Sequence, residues 1–367
     1  MVDADPSRAG ISILGLDIGG TKIASAVVTF LAGQISCDDF AAGEKPRLSQ
    51  AKSIATEASR GGRAVLESVA DLVEEQIRLA LEGGKLLRGI AIASAGVVDA
   101  VNGKIVSATD TMPGWGGQPL GKYLAERFGL PVRVLNDVHG HAMGEVTYGA
   151  GNGAKTALVF AVGTGLGGAA VINGEILFGA HSVAGHFGHI NHPYAAGLVC
   201  SCRHEGHIES VASGSGAARL YAKRQAEAGV PGESFARQAA ASLTGIADLP
   251  EIAYRTSPGE QRPVVVRGGR ELKELADAGD EFAKKVFVDG AFALGQVIGG
   301  LANSFDPDVI ILSGSLIKVG DYWLAALKDG YRSQAMAGTT KTPIVEGNLG
   351  DNAAIIGAGV HFMRTIR

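Results

Sequence analysis

Two stretches of the chain share one pattern of apolar and small residues. Residues 14–28 and residues 157–172 each read as an apolar strand, a turn rich in Gly and Thr, and a second apolar strand. Glycines leave the backbone N–H groups of such a turn open to an anion, and Thr21 or Thr164 can add a hydroxyl donor. Two such turns predict two halves that bind one polyphosphate, which indicates a nucleotide-dependent enzyme.

Helical and extended patterns alternate through the rest of the chain. Apolar residues that recur on one face predict helices over about 62–81, 120–128 and 352–363. Short apolar runs predict buried strands over about 90–98, 132–137 and 309–315. This alternation predicts an α/β fold, in which ligands bind at the carboxyl ends of the strands.

Charge and composition exclude several classes of partner. The 367 residues carry a formal net charge of −4, so we expect no general attraction to nucleic acid or to an anionic membrane. The polar start lacks the apolar core of a signal peptide, and no apolar run reaches the length of a membrane span, so we expect a cytoplasmic location. The three cysteines are too few for a disulfide framework.

Two carboxylates stand at positions suited to phosphoryl transfer. Asp17 lies just before the first turn, where it can hold a Mg²⁺–phosphate complex directly or through water. Asp137 ends the predicted strand 132–137 and can accept the proton of a substrate hydroxyl that attacks the γ-phosphorus. Asn136 beside it can donate to and accept from a polyol. A capping role in a turn is the open structural alternative for each of these residues.

Histidine and cysteine concentrate between residues 186 and 209. Two thiolates and two imidazoles make a closed tetrahedral Zn²⁺ site, which is structural because no position stays open for water. The predicted ligands are His189, Cys200, Cys202 and His207. His192 and His204 compete for the same role, and a reduced cysteine pair among surface histidines is the alternative without metal. Glu209 follows the last ligand, so zinc would fix its carboxylate where sugar hydroxyls can donate to it.

Together these motifs resemble the ROK family of bacterial sugar kinases and repressors, and the likeness covers nearly the whole chain. The matching segments are residues 17–22, 136–137, 163–168, 186–209, 313–315 and 352–358. The resemblance implies a two-domain α/β fold of the actin/hexokinase (ribonuclease H-like) type, with ATP and a sugar in the interdomain cleft. It also implies a homodimer.

The resemblance further implies a division into domains. A small N-terminal domain would comprise residues 1–136 and be joined by the C-terminal helix 352–367. A large domain, residues 137–351, would carry the zinc loop and an insertion at 235–266 that serves as a lid or an oligomer contact.

Roles for single residues follow from the same resemblance. Asp137 would be the base for the 6-hydroxyl of the sugar, and Asp17 would lie near Mg²⁺. Asn136, His189 and Glu209 would contact sugar hydroxyls, with His189 also on zinc. The residues expected to hold ATP and its Mg²⁺ are Asp17, Gly19, Gly20, Thr21, Lys22, Gly163, Thr164, Gly165 and Gly314, the last near the adenosine.

The chain departs from the family pattern at two positions. His186 stands where the family usually has a glutamate that touches the sugar, so an imidazole replaces an acceptor-only carboxylate and hydroxyl recognition must differ there. His207 stands where the family has a cysteine, and it remains a competent zinc ligand. Loops of this kind resemble those of actinobacterial N-acetylmannosamine kinases.

The sequence therefore predicts an ATP-dependent 6-kinase of a hexose or N-acetylhexosamine, with a preference for N-acetylmannosamine. A glucokinase that acts on glucose or mannose is the first alternative. A sugar sensor without turnover is the second, if His186 blocks the sugar site. A repressor is not expected, because only thirteen residues precede Leu14 and the chain is acidic.

Overall fold

The computed structural model describes residues 10–31, 44–227 and 266–366. The predicted insertion at 235–266 lies, except for Val266, outside the described residues. The chain folds into two compact units. The described residues of Met1–Ala157, Ala169–Gly185 and Gly347–Arg367 form the first unit, and those of Leu158–Gly168 and His186–Glu346 form the second. The domain division expected from the sequence, with its change at 136/137, stays a prediction.

A five-stranded sheet forms the centre of the first unit, in the order β3-β2-β1-β4-β7. Its strands are β1 (Ile11–Ile18), β2 (Lys22–Phe30), β3 (Arg47–Ala55), β4 (Leu87–Ser94) and β7 (Val132–Asn136). Strands β1, β2 and β3 pair antiparallel, whereas β4 runs parallel to both β1 and β7. A separate antiparallel hairpin consists of β5 (Val97–Asp99) and β6 (Lys104–Ser107).

Four helices belong to the first unit, namely α1 (Gly62–Glu82), α2 (Leu120–Phe128), α3 (Asp137–Tyr148) and α9 (Ala353–Thr365). The buried face of α1, which includes Val65, Leu66 and Val69, packs in one apolar core with residues of β1, β2 and β4. The bounds of α2 are those predicted from the sequence. The predicted strand over 132–137 is one residue too long, because Asp137 is the first residue of α3.

The second sheet has the order β10-β9-β8-β11-β12. Its strands are β8 (Ala157–Val162), β9 (Leu166–Ile172), β10 (Glu175–Ile176), β11 (Val309–Ser313) and β12 (Ile344–Glu346). Strands β9 and β10 pair antiparallel, and β11 and β12 run parallel. The helices that the structure describes in the second unit are α4 (Glu209–Ala212), α5 (Gly214–Glu227), α6 (Gly269–Asp277), α7 (Glu281–Phe305) and α8 (Asp321–Gln334).

Helix α7 was not singled out by the apolar pattern of the sequence. In the described part of the chain it is the one helix long and apolar enough, by length and composition alone, to cross a membrane. Its residues Val286, Phe287 and Leu294 are buried, and it packs against α6 and α8. This packing is that of a core helix and accounts for its apolar composition.

Candidate functional site

The first Gly-rich turn joins β1 to β2 and is closed by backbone contacts. The Gly19 N–H donates to the carbonyl oxygen of Lys22 (3.0 Å). Thr56, just after β3, holds both sides of the turn: its hydroxyl donates to the Gly19 oxygen (2.6 Å), and its N–H donates to the Thr21 oxygen (3.1 Å). A Cβ added at Gly20 would meet no atom closer than 3.8 Å. Packing does not require glycine there, so the open space suits a ligand that approaches the backbone closely.

Asp17 and Asp137 are two acidic groups of the first unit that interact. Burial raises the pKa of the Asp17 carboxyl to about 7, and the negative charge of Asp137 adds to this rise. Lys22 lowers the pKa of Asp17 and Asp351 raises it, both by smaller amounts. The Lys22 ammonium in turn pairs with Asp351 (Nζ to Oδ2, 2.8 Å). A carboxyl poised in this way gains most from a divalent cation, which stabilises its charged form.

Asp137 is held at the N-terminus of α3 by its own neighbours. The Asn136 side chain caps the helix, since its Oδ1 accepts from the N–H groups of Val138 (2.9 Å) and His139 (3.2 Å). The Asn136 amide also donates to the Asp137 carboxylate (2.8 Å) and to the Gly96 carbonyl (2.9 Å). Burial raises the pKa of Asp137, and the donors from Val138 and Asn136 oppose that rise. The result is a half-buried carboxylate in a fixed orientation, as a general base requires.

The second Gly-rich turn joins β8 to β9 and is held by different partners. Gly163 N–H donates to the Gly165 oxygen (3.0 Å). Ser215 in α5 donates to the Thr164 oxygen from both its N–H (3.1 Å) and its hydroxyl (2.9 Å). The Leu166 N–H donates to Oε2 of Glu209 (3.0 Å). A Cβ added at Gly163 would meet nothing within 4 Å, so this turn also has space beside its backbone.

The four predicted metal ligands lie together in the second unit. One ligand atom from each of His189, Cys200, Cys202 and His207 lies within 4.8 Å of the other three. Of the competing residues, His192 Nδ1 accepts from the Tyr194 N–H (3.3 Å). His204 stays beside the cluster, with its Nδ1 3.2 Å from the Cys202 carbonyl and 3.7 Å from the Cys202 sulfur.

The donor set fits zinc on chemical grounds. Two thiols and two imidazoles at this separation are the usual tetrahedral ligands of a structural Zn²⁺. Burial, and then the Glu209 carboxylate, raise the pKa of the Cys200 thiol to about 12. A bound cation would stabilise the thiolate in this setting and remove the cost of the buried thiol pair.

Glu209 links the metal loop to the second turn, which the sequence did not reveal. It is the first residue of α4 and only 8% exposed. Its Oε1 accepts from the Ser201 hydroxyl (2.5 Å) and the Cys200 thiol (3.3 Å), while Oε2 accepts from Leu166 N–H. A change in the loop around Cys200 is therefore transmitted to the turn through one carboxylate.

Two further predicted residues have clear local settings in the second unit. The His186 ring stacks on that of the ligand His189, with 6.2 Å between centroids and 19° between planes. Gly314, just after β11, has φ of +99°, and a Cβ there would lie 2.4 Å from the Val162 oxygen. Gly314 is therefore required by the close approach of β8, in contrast to Gly20 and Gly163.

The chain matches known proteins over almost its whole length. The model of the ROK family matches residues 13–364. A glucokinase from Halalkalibacterium halodurans is 31% identical over 347 residues, which cover 94% of this chain and 93% of the relative. A ROK family glucokinase from Streptomyces griseus, solved in complex with glucose and AMPPNP, is 28% identical with a TM-score of 0.68 and covers 95% of this chain and 98% of that chain.

A second solved structure supports the same fold. The ROK hexokinase from Thermus thermophilus is 28% identical with a TM-score of 0.68, and the likeness covers 95% of this chain and 96% of that one. The predicted α/β fold of the actin/hexokinase type is thereby confirmed.

Proposed function

Since the chain belongs to the ROK family, we propose that it transfers the γ-phosphoryl group of ATP to the 6-hydroxyl of a hexose or N-acetylhexosamine. The predicted enzyme class, an ATP-dependent sugar kinase, is confirmed by the family and by the glucokinases similar to this chain. The observation that supports the mechanism best is the half-buried, oriented carboxylate of Asp137 at the start of α3.

Asp137 acts as the general base in this proposal. Its raised pKa makes the carboxylate a better proton acceptor than an exposed Asp, while the hydrogen bonds from Val138 N–H and the Asn136 amide stabilise its charged form and fix its orientation. The carboxylate takes the proton of the 6-hydroxyl as that oxygen bonds to the γ-phosphorus. The bond between the γ-phosphorus and the bridging oxygen breaks, and ADP leaves with the electron pair.

The two Gly-rich turns bind the triphosphate in this proposal. Backbone N–H groups of residues 19–22 and 163–165 donate to phosphate oxygens, and Lys22 adds a positive charge. Asp17 would hold Mg²⁺, directly or through water; when bound, the ion neutralises the phosphate charge. Gly314 lies near the adenosine in this proposal.

The sugar is recognised by polar side chains. Asn136, His189 and Glu209 contact its hydroxyls in this proposal. Zinc on His189, Cys200, Cys202 and His207 has a structural role, because these four ligands close its coordination shell. The metal thereby orients His189 and, through Cys200 and Ser201, Glu209.

The identity of the sugar depends on His186. Its imidazole, stacked on His189, offers a donor where a carboxylate only accepts, which favours the acetamido group of an N-acetylhexosamine. N-acetylmannosamine is therefore the first proposal. Glucose is the second, because the Streptomyces griseus relative was solved with glucose. A sensor without turnover is the third. A homodimer and a cytoplasmic location stay predictions.

The test is ADP release from Mg-ATP with a panel of hexoses and N-acetylhexosamines. Turnover with N-acetylmannosamine and little with glucose supports the first proposal and ties His186 to an amino-sugar site. A preference for glucose shows that His186 does not set specificity. Sugar-induced thermal stabilisation without turnover on any sugar would contradict the kinase and favour the sensor.

A further inference from the structure

We propose that Glu145 is a positioning residue that fixes Lys22 for contact with ATP, acting through the backbone segment 347–352 that carries Asp351. The proposal rests on the proposed function, because it assigns Lys22 to the phosphates. It concerns only residues of the first unit, and neither Glu145 nor Asp351 is among the residues predicted from the sequence.

Glu145 is a fully buried carboxylate that accepts hydrogen bonds from three backbone N–H groups. It is 0% exposed and lies near the end of α3. Its Oε1 accepts from the Leu349 N–H (2.8 Å), and its Oε2 accepts from the N–H groups of Asn348 (3.1 Å) and Ala150 (2.9 Å). A buried carboxylate is costly unless it is well bonded, and charged hydrogen bonds are about twice as strong as neutral ones. Segment 347–352 is therefore anchored firmly to α3.

Asp351 lies two residues beyond this anchor and reaches the first Gly-rich turn. Its carboxylate pairs with the Lys22 ammonium at 2.8 Å, although the two side chains are 87% and 49% exposed. An exposed pair of this kind contributes little to stability, which is too little to order a loop. We therefore infer that the buried Glu145 fixes the position of the segment, and that the segment, through Asp351, fixes the position of Lys22.

Helix packing makes the anchor rigid. A Cβ at Gly144 would lie 2.2 Å from the Ala353 oxygen, and a Cβ at Gly357 would lie 1.8 Å from the Gly140 oxygen. Helices α3 and α9 thus touch backbone to backbone directly after the segment. Helix α3 consequently carries the proposed base, Asp137, in its first turn and Glu145, which anchors the segment of Asp351, in its last turn.

A fixed partner matters because of the length of the lysine side chain. Lysine loses much of its rotamer freedom when a ligand immobilises it, and this loss opposes binding. Asp351 holds the ammonium beside the turn before nucleotide arrives, so part of this cost is already met. Loss of either Asp351 or Glu145 should therefore weaken nucleotide binding and leave proton transfer at Asp137 largely intact.

The test compares Glu145→Gln, Asp351→Asn and Lys22→Met with the full-length protein. We expect the Kd for Mg-AMPPNP, measured by calorimetry, to rise about two- to fivefold in Asp351→Asn and by no more than that in Glu145→Gln, which acts through Asp351. In kinetics the KM for Mg-ATP should rise similarly, while kcat and the KM for the sugar change less than about twofold. Asp329→Asn, which breaks an equally exposed pair with Arg332, is the matched control and should change none of these values.

A double-mutant cycle separates positioning from general loss of structure. If Asp351 acts through Lys22, adding Asp351→Asn to Lys22→Met should leave the Kd unchanged within about twofold. Additive effects, or a Kd that stays the same or falls in Asp351→Asn alone, would overturn the proposal. Asp351 is exposed, so this arm stands even if Glu145→Gln fails to fold. Failure of the proposed function is distinguishable, since it appears as wild-type protein without turnover, whereas calorimetry needs none.

Discussion

The two Gly-rich turns have nearly the same local pattern but are held in place by different physics. The first is fixed by Thr56 and lies beside charged groups, with Asp17 before it and the Lys22–Asp351 pair after it. The second has no such charges on its own residues; Ser215 and Glu209 hold its backbone, and Glu209 also binds the loop of the metal ligands. The two turns repeat one sequence motif, but different residues hold each of them in place.

This difference predicts that the two turns can be disturbed independently. Changes near the first turn should act through charge and depend on pH, whereas changes near the second should act through metal content. The variants that follow test whether the two turns respond independently.

The largest effect is expected at Asp137, the charged residue nearest the chemistry in the proposed mechanism. Asp137→Asn keeps the size and the helix position but cannot accept a proton, so kcat should fall by about 10³-fold or more. Stabilisation by sugar, measured as a thermal shift, should persist. Asp71→Asn, at an exposed partner of Arg127, is the control. Unchanged turnover in Asp137→Asn would refute the assigned base.

Metal loss should act on the other turn. We expect about one zinc per chain by elemental analysis, and a Cys200→Ser variant that loses it. Because Glu209 and the second turn depend on this loop, kcat/KM for the sugar should fall roughly 10- to 100-fold, with a lower Tm.

The remaining cysteine offers the control for this experiment. Cys37→Ser, at a position outside the predicted ligand set, should keep both the zinc and the activity. A metal-free protein with full activity and an unchanged Tm would show that the second turn does not need the metal.

The charged setting of the first turn should appear as a pH-dependent stability. The folded pKa of Asp17 is about 7 against an ordinary value of 3.8, so between these values the folded state binds more protons than the unfolded state. Stability then falls as pH rises through that window. Asp17→Asn removes this loss and should raise the free energy of unfolding by about 2 kcal/mol at pH 8, with almost no difference at pH 4.

Urea unfolding without Mg²⁺ or nucleotide measures this effect. Asp17→Asn should also lose activity, because a residue that destabilises the fold is retained where function requires it. An equal stability difference at pH 4 and pH 8 would show that the gain does not come from the charge of Asp17.

The smallest effect is expected at His186, which belongs to the second unit. His186→Glu restores the family's usual carboxylate and should shift the ratio of kcat/KM for glucose over N-acetylmannosamine by roughly tenfold toward glucose. His181→Glu, at an exposed histidine, is the matched control. An unchanged ratio would separate His186 from sugar selection.

Local sequence patterns predicted much of the fold. The strand–turn–strand units at residues 14–28 and 157–172 and the helix over 120–128 were predictable, because turn chemistry and helical periodicity are properties of neighbouring residues. Strand β3 was missed because it is a mostly polar edge strand, with residues such as Lys52 and Ser53 in its middle.

Contacts between residues far apart in the chain could not be predicted from the sequence. The four metal ligands were found because they fall within one loop and have distinctive chemistry, and their side chains do lie together. Glu145 gave no signal, since its partners Asn348 and Leu349 lie more than 200 residues away. The role of Glu209 in holding the second turn is likewise visible only in three dimensions. Zinc binding and the residue roles stay predictions.

The backbone contact between α3 and α9 has a consequence for synthesis of the protein. Helix α9 packs on β1, β4 and α3, yet it begins at Ala353, more than 200 residues after β7 ends. At about 5–20 residues per second, a ribosome needs roughly 10–40 s to make that stretch. During this interval the nascent first unit carries an uncovered apolar face and an unanchored Glu145. Its sheet is translated early, but α9 can cover the sheet only late. We therefore expect chaperone protection to matter most for the half of the protein that emerges first.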